Sequence, residues 1–152
     1  MELEAIPKGI QDQRNKIAEF AEILRGMPGI TIGDNENCPL KHSFVDGQYI
    51  REIFVPANTI LVTKIHKQEH PTFMMTGKLL LISGDGTREE LIAPAHFITK
   101  VGTQRAIHVL EDTIWVDVHS NPDNETDIDK IEEFVIAKTY DELPDITAKE
   151  LK

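Results

Sequence analysis

The chain predicts a mainly β fold, an antiparallel barrel or sandwich with one helix at each end. Three observations carry that expectation. Eight short segments rich in Val, Ile, Thr and aromatic residues follow one another between Gln48 and His119 at near-even spacing. They are joined by turn sequences such as Pro56-Ala57-Asn58, Gly84-Asp85-Gly86 and Ala93-Pro94. On either side of this block the apolar residues recur with the 3.6-residue period of a helix instead of the two-residue period of a strand.

Taken in order, residues 1–8 have no pattern. Ile10, Ile17, Phe20, Ala21, Ile23 and Leu24 share one helical face, with Asp12, Arg14, Lys16, Glu19 and Glu22 elsewhere, so an amphipathic helix is expected up to Gly26 and Pro28. Its apolar stripe covers either the barrel or the same helix of another subunit. Met27 to Leu40, with Gly29, Gly33, Asn35, Asn37 and Pro39, reads as a connecting segment with a short extended piece at Ile30 to Ile32. Strands are then expected at Gln48 to Val55, Thr59 to Ile65, Thr72 to Thr76, Lys78 to Ser83, Arg88 to Ile92, His96 to Lys100, Arg105 to Leu110 and Thr113 to His119. Asp46-Gly47 precedes the first of them, Val101-Gly102 and Glu111-Asp112 read as turns between later ones, and Gly84-Asp85-Gly86 is the clearest hairpin turn. On the last strand Trp115, Asp117 and His119 share one face, leaving Ile114, Val116 and Val118 as the face expected to be core. Asn121 to Thr126 is a loop, and Thr126 with Asp129 resembles a capping box opening a helix through about Lys138 whose apolar side is Ile128, Ile131, Phe134 and Val135.

With 152 residues and 40% hydrophobic content, the chain is long enough for one domain with a real core. We divide it into an N-terminal helix and connector (1–40), the barrel (41–120), and an acidic helix and tail (121–152). The formal net charge is -10 and the pI near 5.0, a field that opposes nonspecific binding to nucleic acid or to an anionic membrane. From Ser120 onward ten acids stand against four lysines, so the acidity lies away from the barrel, on what reads as a solvated face. The single cysteine, Cys38, excludes an intramolecular disulfide and a cysteine-rich zinc site. No basic segment followed by an apolar one opens the sequence, and no apolar run approaches the roughly 18 to 20 residues of a membrane span. A soluble, cytoplasmic protein is expected. Catalysis by a Ser/His/Asp triad on a nucleophile elbow is excluded because no GxSxG occurs, and the Gly84-Asp85-Gly86 turn is no phosphate loop because no helix follows it.

The stretch from Pro56 to Gly77 concentrates the chemistry: a strand, a polar corner with His66 and His70, and a second strand closed by Gly77. Histidines at a strand end can bind a metal, titrate near neutrality or contact a ligand. Over Gly47 to His119 the chain resembles the cupin superfamily, small double-stranded β-helix (jelly-roll) barrels. The first cupin motif, counted back from Gly77, places His70 at its glutamate, His66 at its second histidine and Lys64 at its first. The second motif lays its PxG on Lys100-Val101-Gly102, with Arg105 at the histidine position and Val109 at the asparagine. The resemblance extends to small cupin-like proteins of bacteriophages through the GQYIREIFVPANT lead-in and the TYDEL tail, which implies a host cytoplasm. It departs from the family where Lys64 and Arg105, which cannot ligate a metal at neutral pH, replace two ligands.

If Lys64 and His66 share a face and Arg105 points inward, the pocket holds two cations and up to two histidines, which suits an anion. The competing reading pairs Arg105 with Asp117 or Glu52. His119 either completes a site with His66 and His70 or sits at the surface, Glu69 is either a ligand or solvated, and Trp115 faces the barrel mouth or solvent. His42, His96 and His108 read as structural, His108 having the opposite parity to Arg105. Three functions are therefore expected. The first is a non-catalytic cupin-fold module binding a small anionic molecule (nucleotide, sugar phosphate or carboxylate) through Lys64, His66, His70, Arg105 and Trp115. The second is a metal-dependent enzyme, dioxygenase or isomerase-like, using His66, His70 and Glu69 or His119 with Fe, Mn, Ni or Zn. The third is an assembly protein that forms a homo-oligomer through its helices.

Overall fold

A computed structural model describes residues 15–17, 19, 22–23, 26–34, 36–83 and 87–137. Ten strands make up most of it: β1 Thr31–Ile32, β2 Leu40–Val45, β3 Gln48–Val55, β4 Thr59–Val62, β5 Ile65–His66, β6 His70–Ser83, β7 Arg88–Ile92, β8 Ala95–Thr99, β9 Arg105–Ser120 and β10 Ile136–Ala137. Two long strands organise the rest. β6 and β9 run antiparallel beside each other over nearly their whole length, from Thr72 opposite Asp117 to Ser83 opposite Arg105. The first half of β9 is flanked by β4 and its second half by β3, while β7 and β8 flank the two halves of β6. The sheet thus consists of two five-stranded halves, β1-β4-β9-β6-β7 and β2-β3-β9-β6-β8, that share the long pair. Folded on each other, they form the double-stranded β-helix of a cupin barrel, as expected from the sequence.

The fold turns where the long strands bend. Three register shifts in β6, between Met74 and Leu79, lie opposite the middle of β9, and bulges of this kind increase local twist and curvature. Gly77 sits there at φ +96°, and a Cβ on it would come within 2.6 Å of the Asp112 carbonyl oxygen, so only glycine fits this close approach. The sequence expectation broke both long strands at this point, reading Gly77 as a stop and Glu111-Asp112 as a turn. Bulged strands keep their pairing, so the turn-forming residues mark a corner within one strand. The outer turn at residues 84–86 lies outside the described residues, but Ser83 N–H donates to the Thr87 carbonyl at 2.9 Å and β6 pairs with β7 as a hairpin does.

Two further elements differ from expectation. β2 stands where no strand was expected, because His42 and Ser43 interrupt the apolar pattern, and pairing with β3 at an edge supplies its order. Thr59 to Ile65 is two strands, since residues 63 and 64 leave the sheet before β5.

The core lies between the sheet halves, around Cys38, Val55, Met74, Leu79, Leu81, Ile107 and Val109. On β9 the inward face is the odd-numbered one. Ile114, Val116 and Val118, expected as core, form a half-buried outer face, while Thr113 and His119 are buried. Parity had separated the two faces correctly, but aliphatic content misled about which one was inside.

Both ends of the described chain pack on the barrel. Ile17, from the helical residues 15–17, is buried with Ile82 and Ala106. A helix, Ile128–Val135, is capped by Asp127, whose side chain accepts from Asp129 N–H, one residue after the expected Thr126. Its Ile131 and Val135 pack on Tyr49, whereas Phe134, expected on the apolar side, is half exposed. The helix stops at Val135 because Ile136 is extended and joins β10, which pairs with β5, so the expected continuation to Lys138 does not occur. The tail from 138 lies outside the described residues. Among the described residues no helix is long and apolar enough to cross a membrane.

Candidate metal centre and the cavity beside it

Four side chains that could hold a metal meet at one end of the barrel: His66, His70, Asp117 and His119, each offering a ligand atom within 4.8 Å of the others. Each is placed by backbone that the sheet holds. His66 ends β5, where it pairs with Ile136 and its carbonyl accepts from Gly102 N–H at 3.0 Å. His70 opens β6 opposite Thr99. Asp117 and His119 are two apart on β9, hence on one face, opposite Arg51 and Tyr49 of β3. The rings lie close, with centroids 4.4 Å apart for His66 and His70, 4.4 Å for His70 and His119, and 5.6 Å for His66 and His119.

The histidines are almost fully shielded, with exposures of 7%, 3% and 2% for His66, His70 and His119. Both ring nitrogens of His66 and Nε2 of His119 have no hydrogen-bond partner. A buried polar atom without a partner is costly, so three in one cluster require an explanation. Burial, reinforced by the neighbouring His70, drives His66 down to about 3, and burial and His70 likewise drive His119 down to about 4. At neutral pH both rings are therefore uncharged and present lone pairs, the state in which imidazole binds metals.

His70 and Asp117 complete the site. His70 Nδ1 lies 3.3 Å from the Gln68 carbonyl, which can only accept. The other, Nε2, faces Asp117 Oδ1 at 3.2 Å. A neutral ring has one proton for these two acceptors, and a cation held between Nε2 and Asp117 would serve in place of the second. Burial pushes the Asp117 carboxyl up, but the His70 hydrogen bond, the charges that His70 and His66 carry when protonated, and the Thr72 hydroxyl outweigh it and hold the group below its usual value. Thr72 Oγ1 donates to Asp117 Oδ1 at 2.8 Å and Trp115 Nε1 at 3.2 Å, which fixes the carboxylate. Behind the site Tyr49 stacks on His119 at 5.9 Å, and its hydroxyl meets His42 Nδ1 at 2.6 Å.

This donor set fits a divalent transition ion. Imidazole with carboxylate suits first-row metals, and ligand atoms at ~2.1 Å from one ion stand at most ~4.2 Å apart, so closure from the 4.8 Å spread needs a contraction of at least roughly half an ångström. Such an ion would be held by His66, His70, Asp117 and His119.

A cavity of about 410 Å³ opens beside the cluster and shares His66 and Asp117 with it. Lys64, Arg105 and Trp115 line it, as expected, together with Arg51. The Arg105 guanidinium lies 5.6 Å over the Phe97 ring, which meets Trp115 edge-on at 5.4 Å. Burial lowers the Arg105 pKa, partly countered by the charge of Glu89. The pairing of Arg105 with Asp117 or Glu52 does not occur: among the described residues Arg105 has no ion pair, and Asp117 is engaged by His70, Thr72 and Trp115. Glu69 is not in the cluster. It is exposed and pairs with Lys100 at 3.2 Å. His96 meets Phe73 in a tilted arrangement at 6.1 Å on the outer face, and His42 Nδ1 is hydrogen-bonded to the Tyr49 hydroxyl.

Asp117 as a ligand and Arg51 as a cavity cation were missed from the sequence. Asp117 was considered only as a partner for Arg105. Strand parity already placed it beside His119, and Arg51 shares the parity of Tyr49, Ile53 and Val55, so a charge recurring on an inward face was the available signal.

The fold is shared with solved structures. Ectoine synthase from P. lautus matches with a TM-score of 0.54 and 10% identity, covering 74% of this chain and 81% of that one. A protein of unknown function from Vibrio parahaemolyticus matches at 0.50 and 9% identity, over 58% of this chain and 93% of that one. A cupin domain from Bordetella pertussis matches at 0.47 and 14% identity, over 63% of this chain and 99% of that one. The identities of the first two speak to the fold alone, and the third, with a TM-score below 0.5, carries no argument. No family model matches the chain, and no curated protein matches it.

Proposed function

We propose that this cupin barrel is a metal-dependent protein that takes a small anionic ligand, with the ion on His66, His70, Asp117 and His119 and the anion in the adjoining cavity. The observation that carries the reading is the set of buried, partnerless nitrogens on His66 and His119 converging on the Asp117 carboxylate. Because His66 and Asp117 belong to both the cluster and the cavity wall, a bound anion and the ion would share one compartment, which favours metal-dependent chemistry on the ligand over a binding module without metal. Fe, Mn, Ni and Zn all suit the donors, and such an ion supplies Lewis-acid polarisation of a bound anion or water.

The chain's own residues supply the rest. Arg51 and Arg105 offer planar donors to carboxylate or phosphate, and Lys64 adds a point charge at the mouth. Trp115 walls the cavity while its Nε1 holds the Asp117 oxygen in place. The Tyr49 ring, sealed by Ile131 and Val135, excludes water behind His119.

Protein stripped with chelator and reloaded is expected to bind one divalent ion per chain by elemental analysis, falling below about a tenth in the His66→Ala, His119→Ala double variant. Undiminished stoichiometry in a folded double variant would remove the reading.

A further inference from the structure

The cavity has two chemically different ends, and the bend in the long strands creates them. Along β9 the inward residues run Arg105, Ile107, Val109, Thr113, Trp115, Asp117. The strand doubles back, since Arg105 and Trp115 both pack on Phe97, so its polar extremes meet at the mouth and its middle forms the floor. β3 repeats the gradient: Arg51 opposite Asp117, Ile53 opposite Trp115, Val55 opposite Thr113. The floor is closed by Cys38, Val55, Leu79 and Val109, all buried.

Polar groups near the floor are already engaged. Thr113 Oγ1 donates to the Glu111 carbonyl at 2.8 Å, Cys38 Sγ to Asn37 Oδ1 at 3.1 Å, and Asp34 Oδ1 accepts from the amides of Glu36 and Asn37 at 2.8 Å each. A sugar ring or nucleobase placed here would bury hydroxyl or amide groups against aliphatic carbon and leave them unpaired, which is costly. An alkyl chain would have nothing to leave unpaired.

We infer that the ligand is an amphipathic carboxylate, its anionic head at Arg51, Arg105 and the histidine cluster and an unbranched aliphatic tail reaching the Cys38, Val55, Leu79 and Val109 floor. This rests on the anion-binding reading above and narrows it, excluding the nucleotides and sugar phosphates that the expected pocket cations, Lys64 and Arg105, also allow. From Arg51 to Val55 the strand rises about 13 Å, roughly the extended length of an eight- to ten-carbon chain. The 410 Å³ cavity equals about fourteen water volumes at ~30 Å³ each, which accommodates such a chain.

Trp115, the sole tryptophan, lines the cavity and reports occupancy directly. Its fluorescence is titrated, in protein as purified and in protein loaded with Zn(II), with unbranched carboxylates from acetate to dodecanoate, and with inorganic phosphate, glucose 6-phosphate and AMP. The expected Kd falls about fourfold per added methylene, levels off near eight to ten carbons and rises beyond. Val109→Met moves the optimum to shorter chains, and Arg105→Ala weakens every length by a similar factor. Acetate binding that depends on Arg105 with no gain from chain length overturns the amphipathic ligand and leaves the anion reading standing. Tighter binding of glucose 6-phosphate or AMP than of octanoate does the same. No Arg105-dependent binding of any anion, in either form of the protein, overturns both.

Discussion

The histidine cluster and the cationic rim of the cavity stand side by side, yet they are built on opposite principles. His66, His70 and His119 are buried and placed by paired strands, and among the described residues His66 and His119 are left with ring nitrogens lacking partners. Lys64 and Glu69, two residues on either side of the same corner, are exposed, and Glu69 is satisfied by Lys100. One short stretch of sequence therefore yields both two buried candidate ligands, His66 and His70, and ordinary surface charge. The difference teaches that a candidate ligand is identified by burial without satisfaction, since an exposed charge is solvated at little cost whereas a buried donor or acceptor must find a partner.

The sharpest way to test this contrast is acid. His66 and His119 are held well below the ordinary histidine value, so the unfolded chain binds protons near pH 6.5 that the folded chain refuses until about 3 or 4. Their contribution to stability is full above about 6.5 and is lost as pH falls through that window. Metal-free protein is expected to lose on the order of 6 kcal/mol between pH 7 and pH 4 by urea denaturation, roughly half from each ring, with a flatter profile in the His66→Gln, His119→Gln double variant. Equal slopes in the two proteins would show that the buried rings do not govern acid sensitivity.

A smaller effect is expected from Asp117→Asn, which keeps the shape and the Trp115 contact but removes the charge facing His70. Metal affinity in a competition titration with a chelating dye should fall about 10- to 100-fold. An affinity within twofold of wild type would remove Asp117 from the ligand set.

The smallest effect belongs to Glu69→Gln. It breaks an exposed pair with Lys100 and should change stability by less than about 0.5 kcal/mol and leave metal stoichiometry at one per chain. Loss of bound metal would make the corner carboxylate a ligand after all.

Much of the fold was legible because a barrel is written in local patterns. Strand-like segments, turn residues and helical stripes at both ends are properties of short windows, and the cupin resemblance gave their arrangement. What local pattern could not convey was continuity: β6 and β9 read as four strands because Gly77 and Glu111-Asp112 look like stops, whereas in the barrel they are the corner around which two strands bend together. β2 was invisible because its order comes from β3.

The site divided in the same way. His66, His70 and His119 were visible as candidates from residue type and position, and alternation along the strand put Trp115, Asp117 and His119 on one face. Asp117 remained ambiguous, since alternation shows that it shares a face with Trp115 and His119 but not whether that face is wet. Residue types and strand period, fixed within a few residues of each other, determined the barrel, the histidines and the two faces of each strand. Which face was inside, that Asp117 meets His70 across 47 residues of sequence, and that one end of the cavity is cationic while the other is aliphatic were decided only when the bend brought distant segments into contact, because burial and the partners it demands are properties of the packed chain.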